Sequence, residues 1–439
     1  MKIAVIGTGI AGLATAHLLS RRHSVVLFEK DSRAGGHTNT FVTPEGQPVD
    51  TGFIVFNELN YPNLTGLFKE LDVAVQKTQM SFGVSLNNGA YEWAGSDNLL
   101  TVFAQPSNLF RPAHIRMLLE ILRLNTKCKK LLASAKTGTN LPGGSLQKFL
   151  DDCGFSAALR SRYLLPMAGM IWSCSPRQAA DYPAADFMRF FDSHGLFTAT
   201  QQPQWFSVKN GSQSYVKKIL ASFKGELRLN AGVVQLRRVD GKVLVSTEKN
   251  AELFDQVVCA THSDQALRVL VDASRPEREV LSGIPYTPNR AILHTDESFL
   301  PRRRAAWAAW NYTHDRDEIH DQPISGSYWM NKLQSIPGPV NYIVTLNPTR
   351  EPERDKVLYE VTYEHPHYTA TAQDTHRRLP EIQGKNRIWW AGAWCGYGFH
   401  EDGLKSAVAV ASALGCPPVW APAEPSETAS LQEPAQAAA

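Results

Sequence analysis

The chain has little cysteine, no long apolar run and almost no net charge, and each shortage closes off a class of protein. Its six cysteines, Cys128, Cys153, Cys174, Cys259, Cys395 and Cys416, are scattered through 439 residues with no C-x-x-C pair. That spacing builds neither a zinc ribbon nor a disulfide framework, and it fits reduced thiols in the cytoplasm. No metal site is expected. No apolar stretch approaches the roughly 18 residues that a membrane-spanning helix needs. The formal net charge of +3 gives no reason to expect nucleic acid. The apolar opening of the chain is broken by glycines and followed by Arg21, Arg22 and His23, without a small-residue cleavage site, so it does not read as a signal peptide. No internal repeat is present. Residues 417–439 are rich in Pro, Ala, Glu and Ser and are expected to form a mobile tail.

What the chain does have begins at its N-terminus. Residues 2–6, KIAVI, read as a β-strand and run into Gly7, Gly9 and Gly12 at G-x-G-x-x-G spacing. An alanine- and leucine-rich helix opens at Ile10 and Ala11. A second apolar run at 25–28 ends in Glu29. The three glycines serve different ends. Gly7 permits a tight turn, Gly9 allows close approach to a pyrophosphate, and Gly12 allows close packing of helix on strand. The free N–H groups at the helix start suit phosphate, and Glu29 suits a ribose hydroxyl. A dinucleotide is therefore expected.

After Glu29 come Lys30, Arg33 and a second glycine pair, Gly35 and Gly36, then His37 and, further on, Thr51, Gly52 and Phe53. This resembles the second phosphate loop of the FAD-dependent amine oxidase and phytoene desaturase superfamily, in which arginine commonly stands where this chain has His37. Near the C-terminus, Ala391 and Gly392 followed by Asp402, Gly403 and Leu404 resemble that superfamily's strand and glycine-led helix beside the flavin. Val233 or Val234 resembles its adenine clasp, and Ala260 with Thr261 the strand that closes the cofactor domain. The resemblance implies bound FAD, with Gly7, Gly9, Ile10, Ala11, Gly12, Glu29, Lys30, Gly35, Gly36, His37, Thr51, Gly52, Phe53, Val233, Val234, Ala260, Thr261, Gly392, Asp402, Gly403 and Leu404 as contacts. Cys395 does not match the superfamily's covalent anchor, so non-covalent FAD is expected.

The implied fold class is α/β: a Rossmann-like FAD-binding domain of the amine oxidase type, interleaved with an α+β substrate domain. The cofactor pieces fall at 1–80, 205–265 and 385–416, and the substrate domain at 81–204 and 266–384. The first insertion reads as mostly helical. Ile115, Leu118, Leu119, Leu122 and Leu132 recur at helical spacing over 109–133, and Ser145 suits the cap of a following helix. The second insertion reads as strands, and a six-stranded sheet with helices on one side is expected above the flavin.

Pro166–Met167, Ile171–Trp172–Ser173, Phe190–Phe191, His194–Gly195–Leu196 and Pro203–Gln204–Trp205 are similar to a bacterial subgroup of predicted NAD/FAD-binding proteins in that superfamily. The subgroup's association with lipid-modifying enzymes, and the density of apolar residues here, point to a small hydrophobic substrate, a lipid or fatty-acyl chain. The expected activity is an FAD-dependent oxidoreductase moving a hydride between that chain and the flavin. A redox-neutral double-bond isomerase and an amine oxidase are the alternatives, as is a lipid-binding module with structural FAD. Tyr397, Phe399, His400 and His194 are the candidate catalytic residues; His400 and Glu401 also fit a helix cap. Lys332 is the candidate for the lysine that many amine oxidases hold near the flavin, although its surroundings do not establish the match. His365 and His367 flank Pro366 in an expected pocket loop and lack further metal ligands. Basic residues on 109–133, with Arg302, Arg303 and Arg304, suit either a solvated face or peripheral contact with the inner membrane surface. Oligomeric state is not legible.

Overall fold

The computed structural model describes residues 1–96, 98–136, 138, 140–198, 203–315, 321, 324–367 and 370–420. The apolar N-terminal run forms the strand Lys2–Ile6 at the centre of a five-stranded sheet. The order across this sheet is Glu226–Arg228, Ser24–Phe28, Lys2–Ile6, Gln256–Cys259, Ile388–Trp390, and every neighbouring pair is parallel. A parallel sheet needs cover on both faces, and alternation along its strands supplies two apolar surfaces. Ile3, Val5, Leu27 and Val258 share a core with the helices Ile10–Leu19, Gln213–Ser222 and His400–Ala413. Val26, Phe28, Val257 and Cys259 face the other way, against Leu236, Val243, Val245 and Phe254. Those four belong to an antiparallel meander, Val233–Val239, Lys242–Thr247 and Ala251–Phe254. The fold is thus α/β around a parallel, Rossmann-like sheet.

A second sheet has seven strands, where the sequence suggests six. Its order is Val357–Pro366, Tyr286–His294, Ile343–Leu346, Gly326–Trp329, Trp310–His314, Phe82–Leu86, Tyr91–Gly95. The last two come from the first insertion, which is therefore not purely helical. They form a hairpin through Asn87, Asn88 and Gly89, all at positive φ, the backbone that a tight hairpin turn demands. Phe82–Leu86 then joins the sheet by parallel pairing with Trp310–His314. The second insertion also departs from a pure strand reading, since it carries the helices Arg275–Leu281 and Ala370–Ile382.

The rest of the first insertion is helical. Pro112–Ala135 begins with proline at its first position, where a missing N–H costs nothing. Ser145 Oγ accepts from Lys148 N at 3.2 Å and caps Leu146–Asp152. The long helix buries Met117, Leu124 and Cys128, and leaves Leu119 and Leu122 exposed. No helix among the described residues is long and apolar enough to cross a membrane. Of the expected mobile tail, 421–439 lie outside the described residues, whereas Trp420 packs on Gly66 and donates to Asn63 Oδ1 at 3.3 Å.

Candidate functional site

A cavity of about 1600 Å³ runs from the glycine loops at the end of the parallel sheet to the seven-stranded sheet and the helical insertion. Pockets for one ligand usually hold about 300–1,000 Å³, so this one has room for a dinucleotide and a second molecule.

The glycine loops form one end. Gly7 sits at φ +98°, and its N–H donates to Phe28 O at 2.8 Å. A Cβ on Gly12 would lie 1.9 Å from Gly7 O, which is why helix and loop can approach so closely. A Cβ on Gly9 would meet nothing within 4 Å: this part of the loop faces open space. Glu29 stands at the tip of its strand, 8% exposed, and accepts from Thr8 N and Asp31 N, each at 3.0 Å. The second loop leans on the first: Gly35 N donates to Thr8 O at 3.1 Å, and a Cβ on Gly36 would come within 3.2 Å of Gly9 Cα. Arg33 holds this loop by donating to Gly36 O and Thr38 O. Ile10, Ala11, Lys30, Val233, Val234, Ala260, Thr261 and Gly392 line the same end.

His37 continues the second loop into a group of rings. It stacks on Tyr363 at 4.9 Å and lies 5.4 Å from His365 and 6.1 Å from His262. Burial, helped by the neighbouring histidines, holds His37 well below the usual imidazole range. Its Nε2 is buried without a hydrogen-bond partner, as is His365 Nδ1. Burial also pushes His365 down to about 4. Among the described residues no three His, Cys, Asp or Glu side chains are placed to hold a metal ion. Thr51, Gly52 and Phe53 line the wall beside these rings. His400 lies flat on Phe53, and its Nε2 is paired with Tyr215 Oη at 2.9 Å and Thr38 Oγ1 at 3.1 Å.

Beyond the rings the cavity becomes apolar. Met167, Met170, Ile171 and Trp172 line it from the helix Leu165–Trp172, and Phe82, Trp310 and Tyr328 line it from the sheet. His194 stacks on Phe190 at 3.9 Å, and its Nδ1 donates to Phe190 O at 2.9 Å. A carbonyl only accepts, so this contact fixes the proton on Nδ1 and leaves Nε2 as an acceptor. Burial lowers His194 to about 4. Phe399 stacks on Phe190 at 5.1 Å, and Tyr397, 39% exposed, stands beside it in the lining. Tyr397, Phe399, His400 and His194 are thus all in the wall of one cavity.

Several expected site residues do other work. Gly12, Gly35, Asp402, Gly403 and Leu404 do not line the cavity. Asp402 Oδ2 accepts from Phe399 N at 2.9 Å and caps its own helix. A Cβ on Gly403 would come 3.0 Å from Ile10, so this glycine lets two helices meet, and Leu404 is core. Glu401 caps a different helix, Pro62–Glu70, by accepting from Asn63 N, Asn63 Nδ2 and Leu64 N. Lys332 lies on the short helix Met330–Leu333, and neither it nor Cys395 lines the cavity. Lys30 is the one lysine in the described lining.

Tyr363, His262, Tyr286, Trp310 and Tyr328 line the cavity and are not evident as site residues from sequence. The usable signal was alternation: Val361, Tyr363 and His365 are the less exposed positions along Val357–Pro366 and line the cavity, while Glu360, Thr362 and Glu364 are exposed, the last two at the cavity rim. His365 is therefore a strand residue, not part of a loop.

The zeta-carotene desaturase of Zea mays is 39% identical over 72 residues, which cover 16% of this chain and only 12% of the desaturase. The chain thus matches a small fraction of that relative's length. Among solved structures, the CLA-producing fatty acid isomerase from P. acnes aligns with a TM-score of 0.66 at 16% identity, over 93% of this chain and 98% of the isomerase. Cyclohexylamine oxidase from Brevibacterium oxydans aligns with a TM-score of 0.65 at 14% identity, over 94% and 99% of the two chains. At such identities these two show a shared fold. The family model for flavin-containing amine oxidoreductases matches residues 10–358, and the chain is an oxidoreductase belonging to that family.

Proposed function

We propose that the protein holds FAD without a covalent link and moves a hydride between it and a lipid, most directly a fatty-acyl chain. The carrying observation is the continuity of one cavity from a dinucleotide cradle to an apolar lobe. The residues present fit FAD. Gly9 opens on free space, Glu29 is presented at its strand tip, and His37 Nε2 is a buried ring nitrogen with no partner of its own. Cys395 lies off the cavity, which supports the non-covalent reading. All six cysteines are free, in keeping with a reducing cytoplasm.

Bound there, FAD would supply a two-electron acceptor. The apolar lobe would exclude water and align the chain against it. Forming a carbon–carbon double bond would remove a hydride from one carbon, for which bound FAD would be the acceptor, and a proton from the adjacent carbon. His194 Nε2, an acceptor in the wall of the lobe, is the group we assign to that proton. The absence of Lys332 from the lining weighs against amine oxidation. A double-bond isomerase is the second reading, favoured by the fold shared with the fatty acid isomerase. It would share only the hydride removal: no proton would leave the chain, and the hydride would return to a different carbon of the same allylic system.

Product mass separates the two. Incubation with fatty-acyl phospholipids should yield chains two hydrogens lighter and a reduced flavin. Chains of unchanged mass with a shifted double bond would establish the isomerase instead. Unaltered chains would count against both.

A further inference from the structure

The wall of the apolar lobe has a second face. The short helix Leu99–Phe103 gives Val102 and Phe103 to the cavity and leaves Leu100 77% exposed. The helix Pro112–Ala135 gives Leu118, Ile121 and Leu122 to the cavity and presents Leu119 to solvent. Leu122 does both: it lines the cavity and is 53% exposed. Between these elements Pro106–Phe110 packs on both and projects Leu109 and Phe110, the latter 86% exposed. A cluster of large exposed apolar side chains has no role in a solvated monomer.

The same segment is strongly basic. Residues 100–136 carry seven cations, Arg111, Arg116, Arg123, Lys127, Lys129, Lys130 and Lys136, against the single acid Glu120. Against a chain-wide net charge of +3, the rest of the protein is therefore net negative, and positive charge is concentrated on this wall. Glu120 is already engaged by Arg116 and Ser156. The short helix Arg304–Ala306 packs against Leu99–Phe103, and this brings the exposed Arg302 and Arg304 to the same side.

We propose that this face docks on an anionic lipid bilayer, with Phe110, Leu109, Leu100 and Leu119 entering the interface and the surrounding cations meeting lipid phosphates. The charge argues against a second copy as the occupant, because two such faces would repel. Docking would place the thin wall at Leu122 against the membrane, a short path for an acyl chain into the lobe. For that purpose the proposal rests on the lipid reading above, but docking is measured without turnover.

The test is co-sedimentation of the flavin-loaded protein with vesicles of phosphatidylcholine alone and of phosphatidylcholine mixed with phosphatidylglycerol. Strong binding to the mixed vesicles only, weakened by salt, is expected. Phe110→Glu should reduce partitioning at least about tenfold. Lys127→Gln and Lys130→Gln should each reduce it roughly fivefold. Flavin content checks that each variant is folded, and Leu119→Gln replaces Phe110→Glu if the latter is not. No binding to either vesicle, or undiminished binding by the folded variants, overturns the proposal. So does a wild-type dimer that Phe110→Glu converts to monomer, which would make the face an interface between copies. Vesicle binding with no acyl product supports docking and rejects the lipid chemistry; acyl product with no vesicle binding does the reverse.

Discussion

His400 lies flat against Phe53, their ring centroids 3.8 Å apart and their planes 12° from parallel. Burial in this position lowers the imidazole from 6.5 to about 3, so the folded protein keeps it neutral while the unfolded chain protonates it below 6.5. The unfolded state then binds the extra proton, and stability falls as pH drops through that window, by up to about 1.4 kcal/mol per pH unit for one group. His400→Gln should flatten the fall in Tm between pH 6.5 and 4 relative to wild type. Parallel profiles would show that His400 is not held neutral by its surroundings.

Gly9 and Gly12 should separate binding from folding. Alanine at Gly12 would put Cβ 1.9 Å from the backbone oxygen of Gly7, a clash that no rotamer relieves. Gly12→Ala should therefore give little soluble protein. Alanine at Gly9 meets nothing in the protein within 4 Å but occupies the approach to the pyrophosphate. Gly9→Ala should keep its circular dichroism spectrum and lose its flavin. A flavin-replete Gly9→Ala protein would contradict the cradle.

Glu29→Ala should weaken FAD by roughly tenfold or more, the worth of a hydrogen bond to a charged group. Flavin retained per protein through gel filtration measures it. Retention equal to wild type would remove Glu29 from the site.

His194→Gln tests the assigned proton acceptor. Turnover should fall by about 10²-fold or more, with flavin content unchanged. Full turnover would return His194 to a packing role on Phe190.

Much of the glycine-loop end of the cavity was legible because it is written locally. Gly7, Gly9, Gly12 and Glu29 are fixed by short-range geometry, and local spacing suffices to read them. The loop of Gly35 and Gly36, and the turn at Gly392, share that property. Asp402, Gly403 and Leu404 show the limit of resemblance: their neighbourhood is at the cavity, yet their side-chain positions serve capping and packing. The strand Phe82–Leu86 was hidden for another reason. It finds its parallel partner more than two hundred residues away, at Trp310–His314, and nothing in a local window reports such pairing. Its hairpin did leave a trace in Asn88–Gly89, a turn signal lying between two short alternating runs. The exposed Leu119 and Leu122 were invisible in a helical pattern that treats every leucine as core. Only the packing shows that the buried stripe runs through Met117, Leu124 and Cys128 instead.

The most direct measurement is the visible spectrum of the purified protein, followed by anaerobic addition of fatty-acyl phospholipid. Oxidised flavin bands that bleach on addition, with the flavin released into the supernatant on acid precipitation, are the predicted result. Absence of flavin bands after loading with FAD would contradict the cofactor assignment. Bands unchanged by every acyl lipid, with no shifted double bond in the recovered chains, would contradict the substrate assignment.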